Sequence, residues 1–129
     1  MQVQARKERR SQRSPHASQA LNYQLCHVSR KFDLDAMVLA DADGRLWAAS
    51  TWDPARSHLA STVATMGVLA GGRDRFTIAH DVGRSVGVKT LRVGSALLYL
   101  AAQGAQLRTR PALDHAATGV ERILGSLVQ

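Results

Sequence analysis

The sequence predicts an α/β protein: a three-layer sandwich in which a five-stranded antiparallel sheet carries helices on both faces, in the order α-β-β-α-β-β-β-α. Three observations lead there. Two solid apolar runs, Ala36 to Ala40 and Ala96 to Ala102, are too short for helices and read as central strands buried on both faces. The first runs through the polar turn Asp41-Ala42-Asp43-Gly44 into a second strand-like segment, Arg45 to Ser50, and Asp-x-Asp-Gly is hairpin chemistry in which Gly44 takes a positive φ. Three longer segments repeat apolar residues at helical spacing, and helices on both sides of the sheet account for the doubly buried strands.

Taken in order, the first helix opens at Ser14-Pro15, with a second cap available at Ser18. Its stripe, Leu21, Leu25, Val28 and Phe32, recurs at spacings of four, three and four. After the hairpin, Trp52-Asp53-Pro54 offers Asp53 as the N-cap of the second helix and Pro54 as its first residue, where a fixed φ fits and a missing N–H costs nothing. This helix runs to about Ala70 and closes on Gly71-Gly72, which supply a left-handed C-cap. It has two faces. Leu59, Val63, Met66 and Ala70 form an apolar one, and Ala60, Ala64, Gly67 and Gly71 form a smooth one about 90° round. The expectation is that the first covers the sheet and the second, which permits close backbone approach, meets either another helix or a neighbouring element of the same chain.

Phe76 to His80, Val86 to Val93 and Ala96 to Ala102 read as three consecutive antiparallel strands, with turns at Asp81-Val82-Gly83-Arg84 and Gly94-Ser95. Arg110-Pro111 opens the last helix, whose stripe is Leu113, Ala117, Val120, Leu124 and Leu127.

Composition sets outer limits. A chain of 129 residues suits one domain, able to bury roughly two-thirds of its unfolded surface. With 45% hydrophobic but only 5% aromatic residues, the core is aliphatic. Cys26 is the single cysteine, so an intramolecular disulfide and a cysteine-based zinc site are excluded, and its expected role is a small buried hydrophobe. No segment reaches the ~18 apolar residues of a membrane span, and the basic N-terminus lacks the apolar region of a signal peptide, so a soluble cytoplasmic protein is expected. Much of the net charge of +7 lies in Arg6, Lys7, Arg9, Arg10 and Arg13. Residues 1–14 are expected to be a flexible basic tail ahead of a domain at 15–129; the tail either contacts nucleic acid, anionic lipid or an acidic partner, or is simply solvated.

Several chemical motifs are set aside. Gly83-Arg84-Ser85-Val86-Gly87 matches Gly-x-Ser-x-Gly, but a nucleophile elbow needs a helix straight after the serine, and here a β-rich run follows, so a hairpin turn is expected. Asp114 and His115, the would-be partners, are adjacent on a helix and point apart. Lys89 in Gly87-Val88-Lys89-Thr90 follows no glycine and precedes no helix, so no nucleotide site is inferred. Aligning Gly44 with the glycine of a calcium loop puts Leu39 and Ser50 at ligand positions, which fails. His16, His27, His58, His80 and His115 form no ligand pair at helical spacing. No catalytic residue, cofactor site or metal site is therefore expected. Trp47 and Trp52 flank the second strand and either close one end of the core or anchor a partner.

The order of elements, together with the strand and acidic turn Val38-Leu39-Ala40-Asp41-Ala42-Asp43-Gly44, resembles the roadblock (dynein light chain 7, LC7) family, with its profilin-like sandwich. The resemblance covers roughly Ser18 to the C-terminus. It implies a homodimer with the second helix at the two-fold interface, through Ala60, Ala64, Gly67 and Gly71. It further implies a non-enzymatic regulator or scaffold that binds a Ras-like small GTPase or a cytoskeletal, polarity or motility complex. Members of this family can stimulate GTP hydrolysis by ordering the GTPase's own catalytic groups. Two alternatives stay open: a small-ligand sensor domain of the PAS kind, which requires an internal cavity, and a polyanion-binding module acting through the tail.

Overall fold

The computed structural model describes residues 15–51, 53–81 and 84–128. The basic cluster at 6–13 and Trp52 lie outside them. Along the chain run α1 (Pro15–Lys31), β1 (Ala36–Asp41), β2 (Leu46–Ala49), α2 (Ala55–Leu69), β3 (Arg75–Asp81), β4 (Arg84–Val93), β5 (Ala96–Ala105) and α3 (Gln106–Val128). The strands form one five-stranded sheet in the order β2-β1-β5-β4-β3 with every neighbouring pair antiparallel. The element order and the antiparallel sheet are those the sequence predicts. The two solid apolar runs lie side by side as β1 and β5, with Leu39 opposite Leu100 and Val38 opposite Ala101.

Because side chains alternate across a strand, these two strands feed two cores. On one face Met37, Leu39, Leu98, Leu100 and Ala102 meet Leu21, Leu25 and Val28 of α1 and Ala112, Leu113, Ala116, Ala117, Val120 and Leu124 of α3. On the other, Val38, Tyr99, Ala101, Val86 and Val88 meet Val63 and Ala64 of α2. The expected stripes of the first and last helices are thus the buried ones. Phe32 falls just past the end of α1 and packs half-buried against the same core.

At the entry to α2, Pro54 already has helical angles, and Asp53 Oδ1 accepts the Ala55 N–H at 3.0 Å, so Asp53 caps the helix as its position predicts. Gly71, at φ 66°, ends it. The orientation of α2 about its own axis differs from expectation. Ala60, Val63, Ala64 and Gly67 face the sheet, while Leu59 and Met66 are only partly buried. The reason is Tyr99. Its ring stands up from β5 beneath the helix, and a Cβ at Gly67 would lie 2.4 Å from its Cζ. Only the small residues of α2 can approach the sheet at that height, so Ala60, Ala64 and Gly67 of the smooth face are buried inside the chain, while Gly71 is exposed.

The last helix also begins earlier than its proline suggests. β5 extends to Ala105 and α3 starts at Gln106, leaving Pro111 inside the helix. Proline there deprives the Leu107 carbonyl of its helical donor. Leu107 is 91% exposed, so water can take the donor's place.

Gly67→Ala is expected to destabilise the domain by about 1–3 kcal/mol through overpacking against the buried Tyr99 ring, measured by urea denaturation. In a Tyr99→Leu background most of that cost should vanish; an equal cost in both backgrounds would show that Tyr99 is not the obstacle.

Candidate functional site

The β1–β2 turn is organised by one carboxylate. Asp41 Oδ1 accepts the N–H groups of Asp43 and Arg45, at 2.9 and 3.0 Å, and Gly44 N–H donates to the Asp41 carbonyl at 3.0 Å. Asp41 Oδ2 accepts the indole N–H of Trp47 at 3.1 Å. An aspartate at the strand end thereby supplies acceptors to a turn whose own N–H groups have no ladder partner. Gly44, at φ 86°, takes the left-handed conformation that the turn requires.

The turn rests on α2: a Cβ at Gly44 would lie 3.5 Å from Ser61 Cα and 3.8 Å from Ala64 Cβ. Between turn and helix opens a groove of about 350 Å³, floored by Ala64 and edged by Asp43, Ser61, Thr65, Val68 and Leu69. Val68 is 68% and Leu69 73% exposed, two adjacent large apolar side chains with no cover on a helix whose other exposed residues are Ala55, Ser57, His58, Ser61 and Thr65. A surface of this composition suits contact with another protein rather than bond-making chemistry.

No family model matches the sequence, and no curated protein matches it. Solved structures do. Over 87% of this chain and 92% of the other, it superposes on Myxococcus xanthus MglB with a TM-score of 0.67 at 20% identity. A roadblock/LC7 domain from Streptomyces avermitilis matches over 84% of this chain and 98% of its own, with a TM-score of 0.63 and 15% identity. MglB with a tetrameric arrangement matches at a TM-score of 0.66 and 17% identity, over 88% and 94% of the two chains. The chain has the roadblock/LC7-like fold.

Within this roadblock/LC7-like domain the residues singled out from sequence are dispersed. Of the four small residues singled out, Ala60, Ala64 and Gly67 of α2 are buried, Ala64 at the base of the groove, and Gly71, just past the helix, is exposed with open space where a side chain would be. The exposed part of α2 at the groove is Thr65, Val68 and Leu69, with Ala64 buried beneath them. No pattern in the sequence separates these from the sheet-facing residues, because the rotation of α2 is set by Tyr99, more than thirty positions away. Trp47 is half-buried and packs against the core under α1 and α3, with its indole N–H spent on Asp41. Cys26 is half-buried rather than buried, since it sits beside the α1 stripe and not on it.

Ser85 lies within β4 and not in a turn, because the ladder with β3 continues through Ala79 to Arg84. The strand around it is incompatible with a nucleophile elbow. Its hydroxyl is buried without a hydrogen-bond partner among the described residues. His115 lies against Phe32 and His27, with ring centroids at 5.9 and 6.4 Å. The His27 pairing joins α1 to α3 across a helix crossing that sequence spacing does not show. Among the described residues no group of three or more His, Cys, Asp or Glu could hold a metal ion, and no described helix is long and apolar enough to cross a membrane.

Asp114 has a structural role. Its carboxylate pairs with Arg75 on β3 and, at 3.4 Å, with Lys89 on β4, tying α3 to the sheet edge. The hydrogen bond from Arg75 holds the Asp114 carboxyl below the usual value of 3.8, against partial desolvation, with the charge of Arg75 and the contact with Lys89 helping. A depressed pKa makes the stabilisation complete above the unfolded pKa and lost as pH falls through the folded one.

Since the side chain is 51% exposed, solvent screening limits the pair to about 0.5–1 kcal/mol. Asp114→Asn should lower stability by that amount above about pH 5, with the difference closing as pH falls below 3.8. Thermal melts of both proteins across this range check it; a gap that persists in acid would assign the effect to packing instead.

Proposed function

We propose that this protein is a non-enzymatic, roadblock-like regulator or scaffold that self-associates through α2 and binds a Ras-like small GTPase or a cytoskeletal, polarity or motility complex. The observation that carries the proposal is the groove between the β1–β2 turn and α2, with Val68 and Leu69 uncovered at its edge. Burying such a pair against another chain contributes at roughly 25 cal/mol per Å² of apolar surface removed from water. On the same side of the sheet Phe76 and Ile78 of edge strand β3 are only partly buried, so apolar surface continues beyond α2. Two-fold pairing is the commonest way to cover a face of this kind.

The solved structures support the same reading. MglB is known with a tetrameric arrangement, and the MglB of Thermus thermophilus is a gliding protein. A ligand sensor would need an enclosed internal cavity, whereas the side chains of the two cores occupy the space between sheet and helices over β1 and β5. Polyanion binding through the tail would rest on residues outside those described.

Sedimentation at about tens of micromolar, a range in which a modest interface is populated, should give a dimer. Leu69→Glu should give a monomer with an unchanged circular dichroism spectrum, because the residue touches little within its own chain and would place an unpaired charge in the interface. A wild-type monomer would remove self-association from the proposal. A pull-down from native extract with a GTP analogue should retain a small GTPase more strongly than with GDP; retention of none in either state would remove the GTPase.

A further inference from the structure

The α1–α3 layer turns one face to the sheet and the other away from it. The two helices lie side by side and antiparallel: His27 meets His115, with ring centroids 6.4 Å apart, and the Gln24 side chain occupies the space that a side chain at Gly119 would need. On α1 the stripe Leu21, Leu25 and Val28 faces the core, so Gln19, Tyr23 and Arg30 fall on the opposite side, and all three are exposed. On α3 the same spacing turns Leu107, Pro111, Thr118 and Arg122 away from Leu113, Ala116 and Val120, and these four are exposed too.

This outer face combines uncovered apolar groups with one sign of charge. Tyr23 is 80% exposed and Leu107 91%, more than any other large apolar side chain among the described residues. Unlike Val68 and Leu69, they are not neighbours. Counted from the His27–His115 contact, Tyr23 lies one turn toward one end of the face and Leu107 two turns toward the other, about 20 Å apart. α1 carries no acidic residue. The two acids of α3, Asp114 and Glu121, are seven residues apart and so share the side toward β3, where Asp114 pairs with Arg75 and Lys89. Asp33, just past α1, is taken by Arg108 at 2.8 Å. Arg30 toward the Leu107 end and Arg122 toward the Tyr23 end thus stand on an outward side to which neither helix contributes a carboxylate.

We propose that the outer face of the α1–α3 layer docks on the surface of an anionic lipid bilayer. Charge complementarity gives the sign, since each exposed cation is attracted to anionic headgroups. The two apolar side chains give the kind of surface. Standing apart on a two-helix face, they offer a protein partner no contiguous patch, and a leucine gains nothing against a phosphodiester backbone. A bilayer needs no matching pocket: Leu107 enters the acyl boundary by itself, and the Tyr23 ring sits at headgroup level with its hydroxyl in water. Insertion at Leu107 stays shallow, because Pro111 leaves the Leu107 carbonyl dependent on water. The face lies on the side of the sheet opposite α2, so docking neither needs nor blocks the self-association proposed above.

The test is flotation of the full-length protein with phosphatidylcholine vesicles containing about one-third phosphatidylserine, in ~0.1 M salt. Partition should be at least about tenfold stronger than to phosphatidylcholine alone. Leu107→Ser removes no charge and should lower partition about tenfold, as expected for one leucine side chain returned to water. Its circular dichroism spectrum should be unchanged, because the side chain touches little within the chain. Arg30→Gln and Arg122→Gln should each lower partition about fivefold. Arg92→Gln removes the same charge from the other face of β4, since its neighbour Leu91 faces the α1–α3 core, and should leave partition within about twofold.

Absence of partition to the anionic vesicles, whether or not duplex DNA is bound, would overturn the site. So would partition unaffected by Leu107→Ser, which would leave the contact to the five cations between positions 6 and 13. Equal losses for Arg92→Gln and Arg30→Gln would overturn it as well, since net charge alone would then account for the binding.

Discussion

Everything in this domain depends on a pair of strands that must be hidden on both sides. β1 and β5 lie together inside the sheet, and their alternating side chains are apolar on each face. A sheet with two such strands at its centre has no face to give to water, so it needs a helical layer above and below. α1 and α3 share one layer. α2, which connects edge strand β2 to edge strand β3, supplies the other. The long crossing from one edge to the other is the topological cost of covering the second face with a single helix.

That single helix sits over β1, β2 and β5 and leaves the β3 side of its layer thinner. The asymmetry leaves apolar surface uncovered. Val86 and Val88 are buried on that face, but Phe76 and Ile78 on β3 are only partly so, and Val68 and Leu69 on α2 point away from the core altogether. A second chain laid along α2 and β3 would complete the layer that one helix cannot. The Asp41-centred turn fixes one wall of the groove, because three donors converge on a single carboxylate and leave the turn little freedom.

The electrostatics of the two faces differ. The groove beside α2 holds one carboxylate, Asp43, among small and apolar residues, as suits a protein contact. On the opposite face Arg75, Lys89 and Arg110 gather where β3, β4 and α3 meet, and Asp114 offsets only part of their charge. The two faces of the sheet therefore differ in character, one with uncovered apolar side chains beside α2 and the other with a cluster of cations around Asp114.

Which segments become strands and helices is legible in the residues alone, because local periodicity and turn chemistry settle it. The solid runs Ala36 to Ala40 and Ala96 to Ala102, the Asp-x-Asp-Gly turn and the Asp53-Pro54 cap each carry their signal within a few residues. Pro111 misled for the same local reason, since proline marks a helix start only when tertiary structure has not begun the helix earlier, and β5 hands directly to α3 at Gln106. The direction in which α2 faces is set by packing across the fold. Its small residues could serve the sheet or a partner equally well, and the choice was made by the height of the Tyr99 ring, a contact between positions 67 and 99 that no periodicity encodes. The grouping of Arg75, Lys89, Arg110 and Asp114 was likewise invisible in sequence, because strand register and helix docking, not spacing along the chain, bring those charges within reach of one another.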